Sequence, residues 1–174
     1  MSWLQLVLAA IAIQPTSCSS SPPLQVFAFG SGNNWMHYDW NVLTSYVPTE
    51  SAQGLHLISP ALIKHAHQHN AKIIPFAPGN ATAGQISVPL TANRTVRTLW
   101  INKTVNDLVK YSLDGVNFDV ELPMNASDPR IGWYTDLVRE TTLKIHAAIP
   151  GGQVSVDVGK NKHWSHFTIL WTIL

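Results

Sequence analysis

The sequence Asp-Gly-Val-Asn-Phe-Asp-Val-Glu, residues 114 to 121, alternates apolar and polar side chains over its last six positions. This alternation predicts a β-strand, because successive side chains of a strand point to opposite faces. Asn117, Asp119 and Glu121 then share a polar face, and the apolar side chains between them share the other face. Such a strand fits the wall of a barrel, with helices outside and a lumen inside. A solvated edge strand with half-buried apolar side chains is the structural alternative.

Four further strands and three helices are predicted around this segment. Short apolar runs that end near Gly or Pro predict strands at residues 25–29, 42–47, 72–77 and 153–158. Longer runs with apolar side chains at helical spacing predict helices at residues 60–70, 95–111 and 133–148. Alternating strands and helices predict an α/β fold with a parallel sheet, either doubly wound or a (β/α)8 barrel. The first strand lacks a following Gly-x-Gly-x-x-Gly motif, so the doubly wound nucleotide-binding fold loses its usual support.

Asp119 and Glu121 form the acidic pair from which we predict acid–base chemistry. A rise of about 3.3 Å per residue places their backbones roughly 6 to 7 Å apart on one face of the strand. Because ionising two carboxylic acids this close together is costly, one of the two should keep its proton, as a general acid requires. Barrel enzymes hold their catalytic residues at the carboxyl ends of strands, and Leu122-Pro123 ends this strand directly after Glu121.

Residues 114 to 121 also resemble the signature Asp-x-x-Asp-x-Asp-x-Glu of glycoside hydrolase family 18, the chitinases and their relatives. Asn117 replaces the second acid of the signature, as in the chitobiase branch of that family. Other segments are similar to the same branch, at residues 26–29, 38–40, 137–142 and 153–158. The resemblance covers residues 24–158. It implies a (β/α)8 barrel (TIM-barrel type) that hydrolyses β-1,4-linked N-acetylglucosamine.

The resemblance implies a role for each residue of the signature. Glu121 is expected to protonate the leaving glycosidic oxygen and later to activate water. Asp119 is expected to orient the 2-acetamido group, whose oxygen attacks the anomeric carbon in a substrate-assisted, retaining reaction. Asn117 is expected to hydrogen-bond Asp119 without adding a charge, and Asp114 to support the strand from below. Asp157 ends the fifth predicted strand and is a candidate substrate-lining residue. The reaction needs no metal and no organic cofactor.

Residues 1–20 predict a signal peptide. The segment from Trp3 to Ile13 is apolar except for one glutamine, is too short to span a bilayer, and precedes small polar residues. A buried first strand or helix is the alternative. The single cysteine, Cys18, lies within residues 1–20, so the rest of the chain is expected to hold no disulfide.

Four Asn-x-Ser/Thr sequons agree with passage through the secretory pathway, at Asn80, Asn93, Asn102 and Asn125. These are predicted glycosylation sites. The resemblance to the chitobiase branch implies lysosomal delivery, with secretion as the alternative.

The composition gives no reason to expect nucleic acid or a membrane as a partner, and the resemblance implies an oligosaccharide. Eleven basic and ten acidic residues give a net charge of +1, without a basic stripe that would indicate nucleic acid binding. No second apolar run is long enough to predict a membrane span. His65, His67 and His69 follow one another on a predicted helix, but no nearby carboxylate or cysteine completes a metal site, so a solvated helix face is predicted.

The length of the chain limits the barrel that we predict. A complete (β/α)8 barrel typically needs about 250 residues, whereas this chain has 174. We therefore predict an incomplete barrel of about five of the eight strands, and interpret residues 159–174 as the divergent tail of an alternatively ended product. An open arc leaves edge strands unpaired and its lumen wet, which disfavours a preorganised site. Three functions stay open: a chitobiase-type glycosidase, a carbohydrate-binding relative without turnover, and an inactive product.

Overall fold

The structure, a computed structural model, describes residues 24–79, 88–120 and 125–157. The predicted signal peptide, the predicted tail, Asn80 and Glu121 lie outside these ranges. Within them the chain forms five strands, namely β1 (Phe27–Gly30), β2 (Ser45–Pro48), β3 (Lys72–Ile73), β4 (Gly115–Asp119) and β5 (Gln153–Asp157). The same ranges contain four α-helices, namely α1 (Pro60–Gln68), α2 (Val88–Ala92), α3 (Arg94–Lys110) and α4 (Pro129–Ala148).

The order of the strands decides between the two folds that the sequence allows. Strands β1, β2 and β3 pair in parallel in chain order, and β4 pairs in parallel with β5. Backbone hydrogen bonds join the two groups, because the Asn117 N–H donates to Pro75 O at 2.7 Å and the Ala77 N–H donates to Asn117 O at 2.7 Å. The strands therefore run side by side in chain order. A doubly wound sheet reverses its order at a switch point, whereas a (β/α) barrel wall does not.

A side-chain contact across the sheet shows that the arc is curled. Strands β2 and β5 have two strands between them, so in a flat sheet they would lie about 14 Å apart, at about 4.8 Å per strand. The Ser45 hydroxyl nevertheless donates a hydrogen bond to the Gln153 side-chain oxygen at 3.2 Å. Both side chains must therefore point into the concave side of the arc. We call this side the lumen, and the parity of each strand then assigns its other residues.

The hydrophobic core lies between the outer, convex face of the arc and the helices. Val116 and Phe118 of β4 point outward and are fully buried. Buried side chains from three helices join the same cluster: Leu62 of α1, Leu108 of α3, and Leu137 and Ile145 of α4. Burying a leucine or phenylalanine contributes about 1.5–3 kcal/mol. This packing fixes the carboxyl ends of β4 and β5 relative to the helices that follow the strands.

Each longer helix begins at a side chain that caps it. Ser59, Asn93 and Asp128 accept hydrogen bonds from backbone N–H groups in the first turns of α1, α3 and α4. Such caps satisfy donors that have no partner within the helix. The cap at Asp128, followed by Pro129, explains why α4 begins four residues before the predicted start at residue 133. No helix in the described ranges is both long enough and apolar enough to cross a membrane.

The predicted strands are confirmed with different bounds. Strand β2 begins at Ser45 rather than at residue 42, because Val42 is 55% exposed in the preceding turn. Strand β3 is limited to Lys72–Ile73, since Pro75 has no N–H to donate to a neighbouring strand. A single bridge between Phe76 and Asn117 then continues the arc. The short helix α2 has no counterpart in the sequence-based prediction.

Candidate active site at the carboxyl ends of β4 and β5

Beyond Gln153, four polar side chains share the lumen face of β4 and β5 toward the carboxyl ends of the strands. The register pairs Asn117 with Ser155 and Asp119 with Asp157, so each pair lies at one level of the sheet. The Asn117 side chain is fully buried, although it is polar. A buried amide without hydrogen bonds would cost roughly 1–3 kcal/mol, so its partners matter. The predicted site residues Asn117, Asp119 and Asp157 are therefore neighbours in the structure.

Asn117 links β4 to β5 through both atoms of its amide. The Ser155 hydroxyl donates to Asn117 Oδ1 at 2.5 Å. Asn117 Nδ2 in turn donates to Asp157 Oδ2 at 2.8 Å. The hydrogen bond expected from Asn117 to Asp119 is replaced by this contact with Asp157. The reason is geometric, because neighbouring strands lie about 4.8 Å apart, whereas residues two positions apart on one strand are separated by roughly 6.6 Å.

Tyr134 of α4 lies beside the two carboxylates, and sequence analysis did not identify it. The side chain is buried, and its hydroxyl has no hydrogen-bond partner among the residues that the structure describes. Burial, and then the charges of Asp157 and Asp119, raise the pKa of the Tyr134 phenol. The phenol is therefore neutral at physiological pH. A tyrosine within an otherwise apolar helix face gives no signal of this position in the sequence.

Asp114 lies at the amino end of β4, away from the lumen carboxylates. Its Oδ2 accepts a hydrogen bond from the Ile73 N–H at 2.8 Å and contacts His67 Nε2 at 2.8 Å. The carboxylate thus joins β3, β4 and α1 where the strand begins. Glu121, the last residue of the signature, lies outside the described residues, so its place at the site stays a prediction.

The three histidines of α1 have different surroundings. The expectation that no carboxylate lies near them is wrong, since Asp114 contacts His67. The ring of His65 lies 5.3 Å from that of Trp35 and 4.4 Å from that of His69. No three His, Cys, Asp or Glu side chains are grouped as metal ligands in the described ranges.

An aromatic wall faces the same lumen from β1 and from the segment after β3. Phe29 pairs with Val47, which has the parity of the lumen-facing Ser45. The ring centroid of Phe29 lies 5.5 Å from that of Phe27 and 6.1 Å from that of Phe76. Phe29 is 45% exposed, so its ring is accessible. An apolar wall near polar side chains suits a sugar, which has both apolar ring faces and hydroxyl groups.

The described sequons are exposed. Asn93, Asn102 and Asn125 lie on the surface, in the cap of α3, on α3 itself and before α4. Asn80 lies outside the described residues.

Solved structures define the class of fold. A GH18 chitinase from Flavobacterium johnsoniae superposes with a TM-score of 0.56 at 15% identity, over 83% of this chain and 49% of that one. A chitinase from Bacteroides thetaiotaomicron gives a TM-score of 0.54 at 13% identity, over 76% of this chain and 46% of that one. At such identities the likeness concerns the fold alone, and the chain matches about half of a chitinase-type α/β barrel domain.

Curated relatives define the family within this class. Di-N-acetylchitobiase of Mus musculus is 33% identical over 138 residues, which is 79% of this chain and 34% of that protein. Di-N-acetylchitobiase of Bos taurus is 33% identical over 134 residues, 76% of this chain and 69% of the bovine sequence. The chain belongs to the di-N-acetylchitobiase family. It spans about a third of the length of the mouse relative. No protein-family model matches the chain.

Proposed function

We propose that this chain is a glycoside hydrolase that cleaves GlcNAc-β-1,4-GlcNAc by substrate-assisted, retaining hydrolysis. The observation that supports the proposal is the cluster of Asn117, Asp119 and Asp157 on one lumen face, at the carboxyl ends of β4 and β5. Barrel enzymes place their chemistry at this end. Membership of the di-N-acetylchitobiase family points to the same substrate, either the chitobiose core of Asn-linked glycans or chitooligosaccharides.

Each side chain has a role in this proposal. Glu121, two residues beyond Asp119, protonates the leaving oxygen and then activates water. Asp119 orients the acetamido group whose oxygen attacks the anomeric carbon, so the protein supplies no nucleophile of its own. Asn117 holds the strand pair in register, and Asp114 fixes the start of β4. The predicted signal peptide and the sequons Asn80, Asn93, Asn102 and Asn125 support a secretory route, with the lysosome as the proposed destination.

A second candidate is carbohydrate binding without turnover. In the described ranges β1 pairs only with β2, and β5 pairs only with β4. All five residues of β5 are partly exposed. An accessible lumen weakens the electrostatic preorganisation on which a fast reaction depends, whereas an aromatic wall still binds a sugar in water.

The decisive substitution is Glu121→Gln in the full chain. Loss of a general acid is expected to lower chitobiose turnover roughly 10²- to 10⁴-fold. Binding of chitobiose, measured by calorimetry, and the thermal midpoint should persist. Asp136→Asn is the matched control, because Asp136 is exposed and forms its ion pair with Arg139 of the same helix. Its turnover should equal that of the wild type.

The outcomes separate the candidates. Turnover that Glu121→Gln abolishes supports the glycosidase. Binding without turnover in the wild type supports the second candidate, and unchanged turnover in Glu121→Gln contradicts the proposed general acid.

A further inference from the structure

We propose that Asp157 is a positioning residue that supplies from β5 the carboxylate which the family signature carries at position 117. The inference rests on the proposed function and names one more residue of its site. The signature has an acid where this chain has Asn117, and the structure places a carboxylate of the next strand in hydrogen-bond contact with that asparagine. In this chain the second acid of the site therefore comes from β5 rather than from β4.

The orientation of the Asn117 amide follows from its partners. An ionised carboxylate only accepts hydrogen bonds, so the amide must present Nδ2 to Asp157 and Oδ1 to the Ser155 hydroxyl. Asn117 is fully buried, which leaves the amide no competing water. The chain Ser155–Asn117–Asp157 therefore has one direction, and it fixes the Asp157 carboxylate at the carboxyl end of β5.

The register of β4 and β5 determines which group the Asp157 carboxylate faces. Asp157 is the direct partner of Asp119 across the parallel pair, about 4.8 Å away between strand axes. An acid at position 117 would instead lie below Asp119 on the same strand. Two acids remain next to one another in either arrangement, but the pair lies across the strands here and along one strand in the signature.

The surroundings of Asp157 support a role in setting the charge near Asp119. Among the residues that the structure describes, Asp119 of β4 and the buried phenol of Tyr134 of α4 face it from neighbouring elements. The phenol is neutral, so the charge of this cluster depends on the acids. Because like charges this close repel each other, the position of the second carboxylate affects the electrostatic field in which Asp119 holds the acetamido group.

The test exchanges the two residues in the full chain. Asp157→Asn removes the transferred carboxylate, and Asn117→Asp adds one beside two others. In the double variant, the acid at position 117 would accept hydrogen bonds from Ser155 and from the new amide at position 157. Both hydrogen bonds at position 117 are then kept, and in the pair 117–157 the donor and the acceptor exchange places. The exposed control Asp136→Asn removes a carboxylate elsewhere.

Each single variant is expected to lower kcat/KM for chitobiose at least about tenfold and to shift its pH profile, and the double variant to recover to within about threefold of the wild type. Thermal midpoints from pH 4 to 8 give a readout that needs no turnover. The added carboxylate of Asn117→Asp should lower the midpoint relative to the wild type by an amount that grows as pH rises, and the effect of Asp157→Asn should also change with pH. The double variant should return to the slope of the wild type.

Two results would overturn the inference. One is a double variant that shows the summed losses of both single variants. The other is an Asp157→Asn variant that changes the midpoint by the same amount at every pH and leaves the pH profile of turnover in place, which would make Asp157 a structural residue only. If the wild type has no turnover, the proposed function fails while the slopes of the midpoint with pH still decide the role of the carboxylate.

Discussion

At the scale of single residues, the structure explains why a glycine begins strand β4. Gly115 has a φ of +157°. A Cβ at this position would lie 1.8 Å from the carbonyl oxygen of Gln153. The start of β5 therefore packs directly on the backbone of β4, and this close approach brings Asn117 within reach of Asp157.

We expect Gly115→Ala to destabilise the chain by at least about 3 kcal/mol, because backbone strain adds to overpacking. Gly132 of α4 is the matched control, since a Cβ there would meet no atom within 4 Å. Gly132→Ala should raise stability by about 0.5–1 kcal/mol, as expected for an exposed helical glycine. Urea denaturation measures both changes, and a Gly115→Ala variant as stable as the wild type would contradict the close packing.

The polar residues of the site were predictable from the sequence only in part. The period of two along residues 114–121 was enough to place Asn117 and Asp119 on one face. It could not show that Asn117 contacts Asp157, because this contact joins residues 40 positions apart and depends on the register of two strands. The carboxylate of Asp114 and its neighbour His67 come together from different elements for the same reason.

At the scale of elements, α3 and α4 are joined by an ion pair. Arg97 of α3 is buried and donates two hydrogen bonds to Glu140 of α4, at 2.9 and 2.7 Å. A third donor of Arg97 reaches Thr91 O at 2.5 Å. The hydrogen bonds between Arg97 and Glu140 raise the pKa of Arg97 and lower that of Glu140. Because α4 packs on β5, this pair supports the outer side of the candidate site.

We expect Glu140→Gln to lower the free energy of unfolding by about 1–3 kcal/mol near neutral pH, because it leaves a buried guanidinium without its counter-charge. The partial exposure of Glu140 limits this loss. The lowered pKa of Glu140 means that its contribution is present above the ordinary value of 4.5 and is lost as pH falls through the lower folded value. The stability curves of the wild type and of Glu140→Gln should therefore converge below about pH 4.5. The surface pair of Lys103 and Asp107 on α3 gives the control, Lys103→Gln, for which a change below about 1 kcal/mol is expected. A constant difference across this pH range would contradict a charge-based contribution.

The elements differ in how well the sequence predicts them. Strand β4 has a clear period of two and helix α3 a long run of roughly helical spacing, and their predicted bounds are within two residues of those observed. Strand β3 is much shorter than predicted, because its proline interrupts pairing that apolar content alone suggests. Helix α2 has only five residues and packs against α3 and α4, so tertiary contacts rather than local pattern determine it.

At the scale of the whole molecule, one core connects the two ends of the arc. A single hydrophobic cluster contains Leu62 and Tyr46 from the first half, and Phe118, Leu137 and Ile145 from the second. The hydrogen bond between Ser45 and Gln153 joins β2 to β5 on the lumen side of the same arc. A shared core of this kind favours cooperative unfolding, even though β1 and β5 each pair with one strand in the described ranges.

We therefore predict that the full chain unfolds in one transition, seen at the same midpoint by far-ultraviolet and near-ultraviolet circular dichroism. Two core variants test this prediction from opposite ends. Leu62→Ala of α1 and Leu137→Ala of α4 each remove a buried side chain, and each should lower the free energy of unfolding by about 2–5 kcal/mol. If the chain is one cooperative unit, each variant shifts the whole transition. If the halves are independent, Leu62→Ala moves only the part of the signal that comes from β1 to β3, and the transition splits in two. A melt without any transition would argue for an inactive product. A single shifted transition would show that the arc holds the carboxyl ends of β4 and β5 as a folded unit, which both proposals about this site require.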